Sequence, residues 1–287
     1  MAELKTEGLT YTYGIGTPFE KTAVEDVDLT ITEGTLAGII GHTGSGKSTL
    51  IQHFNGLLAP TSGRVLLDGM DINADKKRLR EIRFRVGLVF QYPEYQLFED
   101  TVMKDISFGP RNMGLSDSEI KTRVFETAEE LGISEELLTR SPFELSGGQK
   151  RRVAIAGVMA MRPEILILDE PTAGLDPVGR EKIFSLIKDY HSRYKCTVLI
   201  VSHSMEDVAR YAQKLIVMNK GRLFCYDDTA KVFERADEIS AMGLSVPQIT
   251  KVFNMLRENG VDVGEEIYTV HYGAKLLTDY ISKHKSQ

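Results

Sequence analysis

Near the start of the chain apolar and polar positions alternate, as in the stretch LTYTY from Leu9 to Tyr13, a period of two that predicts short half-buried strands. The pattern then becomes an unbroken apolar run, Leu36 to Ile40, which predicts a buried strand and hence a parallel central sheet. After GHTGSGKS the residues Leu50, Ile51, Phe54, Leu57 and Leu58 recur at helical spacing, with a stop expected at Pro60 in the turn-rich APTSG. From Pro93 to Pro163 the pattern is helical: Glu119 to Leu131 is amphipathic, and the segment after Ser146 runs on through Met161. β character returns in ILILD (Ile165 to Asp169) and VLIVSH (Val198 to His203), with a helical stretch near Ile183 to Tyr190 between them, the βαβ rhythm of a parallel sheet. KLIVMNKGRLFCY reads as two apolar runs around NKG, a hairpin signal.

These elements place a main domain over residues 1–230, with a helical insertion at about 93–163 and a small helical appendage over 231–287. In the appendage, SVPQITKVFNMLRENG offers Ser245 and Gln248 as a capping box, Pro247 near the first turn, apolar Ile249, Val252, Phe253 and Leu256, and Gly260 as a stop. A second helical pattern carries Leu276, Leu277, Tyr280 and Ile281, and no internal repeat or low-complexity tract interrupts the chain.

Composition adds bounds. At 287 residues and 42% hydrophobic content the chain can fill a sizeable core. A net charge of -6, from 35 basic and 41 acidic residues, gives no general electrostatic attraction to nucleic acid or anionic lipid. The local basic run KKRLREIRFR, Lys76 to Arg85, contains Glu81 and only Phe84 as an aromatic, so a solvated helix face is favoured over a nucleic-acid site. Glu3, Lys5 and Glu7 break up the N-terminus, which excludes a secretory signal and leads us to expect a cytoplasmic chain. The least polar run, Val153 to Met161, is far shorter than the roughly 20 residues that cross a bilayer, so a membrane role would be peripheral. Cys196 and Cys225 lie far apart beside strand-like residues and are expected to be buried reduced thiols.

The chemistry concentrates at strand ends. Gly41, His42, Thr43, Gly44, Ser45, Gly46, Lys47 and Ser48 satisfy the phosphate-loop pattern G-x-x-x-x-G-K-[ST], followed by Thr49 on the expected helix. The glycines let backbone N–H groups curl around phosphates at a helix N-terminus, Lys47 supplies a compact charge, and Ser48 can ligate Mg2+, so the expected ligand is a nucleoside triphosphate. Asp169 and Glu170 end the ILILDE strand, where ligands of open α/β sheets collect. A strand leaving into a polar loop would explain the pair by itself. Beside a phosphate loop, Asp169 is expected to hold Mg2+ and Glu170 to polarise the attacking water. Gln91 and His203 follow strands that would end on the same edge; singly they suit a loop hydrogen-bonder and a structural histidine, but together with the phosphate loop and the acidic strand end they fit a γ-phosphate sensor and a water or metal contact. LSGGQ, Leu145 to Gln149, puts Ser146 and the N–H groups of Gly147 and Gly148 at another helix start, a second anion site. Two phosphate-binding ends in one chain suggest that LSGGQ presses on a triphosphate held by a second chain.

In this order, Gly41 to Ser48, Gln91, LSGGQ, ILILDE, AGLD (Ala173 to Asp176) and His203 resemble the ATPase subunits of ABC transporters across about residues 4 to 230. More narrowly, VFQYPEYQLFEDTVMKDISFGPRNMGLS and FELSGGQKRRVAIAGVMAM resemble the ATPases of energy-coupling factor transporters, the cobalt and vitamin importers, and within them the second of two paralogous subunits. The resemblance implies an α/β phosphate-loop fold of ABC type, with an antiparallel N-terminal β part, a parallel core sheet, a helical subdomain and a small α-helical C-terminal appendage. It further implies that Tyr13 stacks on adenine, although Tyr11 and Phe19 are nearby aromatics. Gln91 would couple nucleotide to a membrane partner and join Ser48 and Asp169 around Mg2+, Glu170 would be the general base, Asp176 would lie across a dimer interface, and His203 would contact the γ-phosphate. AGLD departs from the serine-containing form common in ABC ATPases, though it fits this subgroup.

The implied partners are a paralogous ATPase, with a heterodimer favoured over a homodimer, a transmembrane coupling subunit, expected to dock on the surface around Gln91 to Phe98, and a membrane-embedded substrate-binding subunit. The implied location is the cytoplasmic face of the cell membrane. ATP would be the substrate, Mg2+ the cofactor, and vitamins or transition-metal ions the cargo. The alternatives are the ATPase of another ABC transporter class, a soluble ABC ATPase acting on nucleic acid or ribosomes, and a nucleotide-gated dimerisation module with negligible turnover. The appendage would add dimer contacts or simply cap the core.

Overall fold

The computed structural model describes residues 2–261, 263 and 267–284. The chain opens with β1 (Leu4–Tyr13), β2 (Lys21–Ile31), β3 (Leu36–Ile40), α1 (Lys47–Phe54), β4 (Ser62–Leu67) and β5 (Met70–Asp71). Next come α2 (Leu79–Arg85) and β6 (Val86–Val89), then the helices α3 (Val102–Asn112), α4 (Asp117–Glu130), α5 (Glu135–Leu138) and α6 (Gly147–Met159). Strands and helices then alternate as β7 (Ile165–Asp169), α7 (Pro177–Tyr194), β8 (Thr197–Val201), α8 (Met205–Tyr211), β9 (Lys214–Asn219) and β10 (Arg222–Asp228). Four helices close the chain: α9 (Thr229–Glu234), α10 (Ala236–Ala241), α11 (Gln248–Glu258) and α12 (Val270–His284).

Two sheets form. One is a 4-stranded antiparallel sheet of order β2-β1-β4-β5; the other has 6 strands in the order β10-β9-β3-β8-β7-β6. In the second sheet β9, β3, β8, β7 and β6 run parallel and β10 pairs antiparallel to β9. The unbroken apolar runs follow from burial on both faces. Leu166, Leu168, Val198 and Ile200 pack with α3, α4, α6 and α7, whereas Ile165, Ile167, Leu199 and Val201 pack with α1 and the antiparallel sheet. Covering such a side chain contributes roughly 1.5–3 kcal/mol, and in these strands the residues of both faces gain it. The β9–β10 hairpin turns on Lys220 and Gly221, whose φ values of 48° and 83° give the two left-handed positions of a two-residue turn.

Two helix limits differ from the sequence pattern. Helix α1 ends at Phe54, short of Leu57 and Leu58. Gly56 adopts a φ of 66°, its N–H bonds to the His53 carbonyl and the Leu57 N–H to the Gln52 carbonyl, the paired 5→2 and 6→1 bonds that terminate a helix. The Ser245–Gln248 capping box does not form: α11 starts at Gln248 with Pro247 in the cap position and no side-chain cap. Proline biases the residue before it to extended backbone, so Ser245 is held too far upstream, and the Gln248 N–H instead reaches Glu206 Oε1 at 3.3 Å.

The basic run is largely tied down. Arg80 and Arg83 donate to the carbonyls of Asn112 and Gly56, and Arg85 pairs with Asp68 and Glu164. Cys196 is buried and Cys225 half-buried, both as free thiols. Past β10, Val232, Phe233, Ile239, Leu244 and Val246 share a core cluster with Ile40, Leu215 and Val217 of the sheet. Phe253, Val263 and Ile267 form a smaller cluster of their own, with Ile249, Leu276, Leu277 and Tyr280 against it.

Candidate functional site

Because β3, β8, β7 and β6 are parallel neighbours, the segments that follow them emerge at one edge of the sheet. There the loop after β3, Gln91 after β6, Asp169 and Glu170 at the end of β7, and His203 after β8 line one cleft of about 290 Å³. Topology thus joins residues up to 160 positions apart, and residues from four separate strand ends share one cavity.

The loop Gly41–Gly46 owes its shape to backbone crowding. Gly46 caps α1 in a left-handed conformation with φ 99°, and a Cβ there would overlap the Ala23 carbonyl oxygen. A Cβ on Gly41 would overlap the Met218 carbonyl oxygen. Lys47 is buried, and its Nζ donates to the Gly41 and His42 carbonyls at 2.6 and 3.0 Å, which folds the loop around the ammonium. Burial lowers the Lys47 pKa, while Glu170 and Asp169 act to raise it.

Two adjacent carboxylates differ in setting. Asp169 is buried and pushed up by desolvation, with a hydrogen bond from Ser48 and the charge of Lys47 opposing the shift. Hydroxyl and carboxylate oxygens at this spot suit a hard cation such as Mg2+. Among the described residues no group of three or more His, Cys, Asp or Glu could hold a metal alone, so a cation here would take most of its oxygens from phosphate and water. Glu170 sits at φ 50°, a strained setting for a non-glycine residue, and its N–H bonds to the Val201 carbonyl at 3.1 Å. Burial, then the Asp169 charge, pushes Glu170 up to about 7. His203 Nε2 stands 3.4 Å from Glu170 Oε1, and burial followed by the Lys47 charge lowers the His203 pKa, which keeps the imidazole neutral near pH 7.

The remaining candidates lie around this cleft. Tyr13 is 40% exposed, its hydroxyl is 3.3 Å from Thr49 Oγ1, and its ring meets Tyr11 edge-on at 4.7 Å. Tyr11 itself packs against the core and Phe19 is 86% exposed, so Tyr13 is the exposed aromatic tied to the phosphate-loop helix. Leu145 is buried and Ser146–Gln149 begin α6 outside the cleft. Ser146 and Gln149 form a capping box: the Gln149 N–H donates to Ser146 Oγ and the Ser146 N–H to Gln149 Oε1 at 2.9 Å. Gly147 and Gly148 keep their N–H groups directed out of the helix start. Asp176 caps α7, accepting from the Gly179 N–H at 2.6 Å.

Sequence reasoning missed one feature, the Arg151–Glu94 ion pair, and gave a second only in outline, as a docking surface around Gln91 to Phe98. Arg151, only 3% exposed, makes a bidentate ion pair with Glu94 across 57 positions. Phe98 and Phe108 cross edge-on at 5.0 Å and are 57% and 44% exposed on an apolar groove of about 270 Å³, lined also by Phe84, Leu97, Val158 and Met161. The exposed aromatics of the sequence after Gln91 signalled the groove; nothing local signalled the ion pair.

Comparison with known proteins agrees with this geometry. The family model described as "ABC transporter" matches residues 24–173. A protein named energy-coupling factor transporter ATP-binding protein EcfA2 from Caldanaerobacter subterraneus subsp. tengcongensis is 53% identical over 97% of this chain and 97% of its own length. One of the same name from Clostridium acetobutylicum is 55% identical over 95% of this chain and 96% of its own. The solved structure of cbiO1 from Clostridium perfringens, described as part of the ABC transporter complex cbiONQ, is 40% identical with a TM-score of 0.74, covering 88% of this chain and 98% of that one. The ATP-binding cassette MJ0796, solved as a dimer in a post-hydrolysis state with ADP and Pi, is 31% identical with a TM-score of 0.71, covering 79% of this chain and 98% of that one.

Proposed function

Since the chain belongs to the ABC transporter ATPases, and among them to the ATP-binding proteins of energy-coupling factor transporters, we propose that it hydrolyses ATP at the cleft between Lys47 and Glu170. The observation that carries the site assignment is the convergence of Lys47, Asp169, Glu170 and His203 on one sheet edge.

The N–H groups of residues 42–47 and the α1 dipole bind the phosphates, and Lys47 exchanges part of its hold on the Gly41 and His42 carbonyls for phosphate oxygens. Ser48 and Asp169, with Gln91, are the residues that would hold Mg2+, which when bound neutralises charge on the transferred phosphoryl group. Glu170 accepts a proton from the attacking water. Its raised pKa makes it a stronger base than an exposed carboxylate, at the cost of being partly protonated near neutrality. Neutral His203 donates a hydrogen bond toward the γ-phosphate and steadies Glu170. Tyr13 offers its exposed face to adenine.

The start of α6 binds the triphosphate of a second ATPase chain, with Asp176 near the same interface, so that ATP closes a dimer and hydrolysis reopens it. The dimer of MJ0796 with ADP and Pi supports such a cycle. The companion is a paralogous ATPase, giving a heterodimer. Among the described residues no helix is long and apolar enough to cross a membrane. Transport on this reading takes place through separate transmembrane coupling and substrate-binding subunits, with this chain held peripherally on the cytoplasmic face. The Phe98–Phe108 groove, which starts just past Gln91, receives the coupling subunit. The cargo is a vitamin or a transition-metal ion, chosen by another chain.

Replacing Glu170 by Gln keeps the shape and removes the base. We expect ATP binding to persist, the dimer to be trapped, and turnover to fall by about two to four orders of magnitude. Unchanged steady-state hydrolysis in that variant would remove Glu170 from the mechanism.

A further inference from the structure

Three segments around the site meet at one guanidinium. Arg151 lies on α6 one turn past Gly147 and is 3% exposed. Its Nε and Nη2 donate to the two Glu94 carboxylate oxygens at 3.0 and 2.7 Å, and its Nη1 donates to the Ala173 carbonyl. The Ala173 N–H in turn donates to the Glu170 carbonyl at 3.1 Å. On the other side the Arg151 guanidinium lies 5.9 Å from the centre of the Tyr92 ring, and Tyr92, at φ 54°, sets the direction in which the chain leaves Gln91 for the short turn Pro93–Gln96.

A buried ion pair is poor value for stability alone, because apolar residues of similar volume often do as well. What a planar fork supplies is geometry, since two parallel N–H···O bonds allow one relative orientation of the groups they join. Here they fix the start of α6 against the segment after Gln91, and the third N–H fixes both against the turn after Glu170. None of these contacts reaches the cleft, so the group acts through others.

We propose that Arg151 is a positioning residue, paired with Glu94, that makes the start of α6, the segment after Gln91 and the turn after Glu170 move as one unit. A displacement of the segment after Gln91 is thereby passed to Ser146–Gly148, which bind phosphate in the neighbouring chain, and to the backbone that aims Glu170. The proposal rests on the ATPase reading and adds the device by which docking and hydrolysis are coupled.

The test uses the chain assembled with its companion ATPase and membrane coupling subunit. ATP binding per chain, KM and kcat are measured for Glu94→Gln, Arg151→Gln, Arg151→Lys and the double variant Glu94→Gln with Arg151→Gln. We expect each Gln variant to lower kcat about tenfold with ATP binding and KM within about twofold, the double variant to be no worse than either single, and Arg151→Lys to fall between. A merely structural staple would lower the melting temperature while kcat per ATP-binding site stayed unchanged, and that result would overturn the proposal. Additive losses, or ATP affinity falling in step with kcat, would overturn it too. If Arg151→Gln fails to fold, Glu94→Gln, which preserves volume and a hydrogen-bonding oxygen, decides on the same terms. An unsubstituted complex without ATPase activity would remove the ATPase reading, and this proposal with it; full activity in the variants would remove this proposal alone.

Discussion

Glu170 works against the fold that holds it. Its pKa in the folded chain, about 7, lies above the ordinary 4.5, so between these values the folded chain binds more protons than the unfolded one. Stability is therefore greatest below about pH 4.5 as far as this group is concerned, falls as pH rises toward 7, and stays reduced above it. Glu170→Gln removes the ionisation. In urea unfolding without nucleotide, the variant should gain about 2 kcal/mol over the unsubstituted chain on going from pH 5.5 to pH 8. A difference that does not vary with pH would mean the carboxyl is not destabilised by its surroundings. The identities of Asp169 and Glu170 were legible because an apolar run ending in carboxylates marks a strand reaching a ligand edge. The positive φ of Glu170 and the burial that shifts it were not, since both arise from β8 and the phosphate loop closing around it. Likewise Arg151 and Glu94, each ordinary in its local sequence, acquire meaning only when α6 packs on the segment after Gln91.

At the scale of elements, strands were easier to read than helix ends. Burial on both faces leaves an unbroken apolar signature in β3, β7 and β8, whereas α1 stops where Gly56 permits a left-handed turn although apolar spacing continues to Leu58. The hairpin after Asn219 was legible for the same chemical reason, a glycine at a left-handed position. Helices α3 and α6 leave an apolar groove between them, with half of each of two aromatic rings in solvent. If the coupling subunit docks in this groove, Phe98→Asp places a charge against its apolar face. We expect Phe98→Asp to weaken association with the membrane coupling subunit by at least about tenfold while ATP binding remains. Undiminished recovery of the complex in detergent would move the docking site elsewhere.

For the molecule as a whole, the boundary expected near residue 230 falls beside a core cluster shared by the sheet and residues 232–246, while α11 and α12 have a cluster of their own. A deletion that respects this packing ends at residue 246. If the appendage adds dimer contacts, chains ending there should bind ATP normally but lose ATP-independent association with the companion ATPase, read by sedimentation; undiminished association would leave it the role of a cap. The central claim, that this ATPase drives an energy-coupling importer, is tested most directly by purifying the chain from its native cells after gentle detergent extraction and identifying what accompanies it. The expected result is a polytopic membrane protein, a second ABC ATPase and a small membrane protein that reveals the cargo. Recovery of ribosomes or nucleic-acid proteins, with nothing membranous, would contradict it.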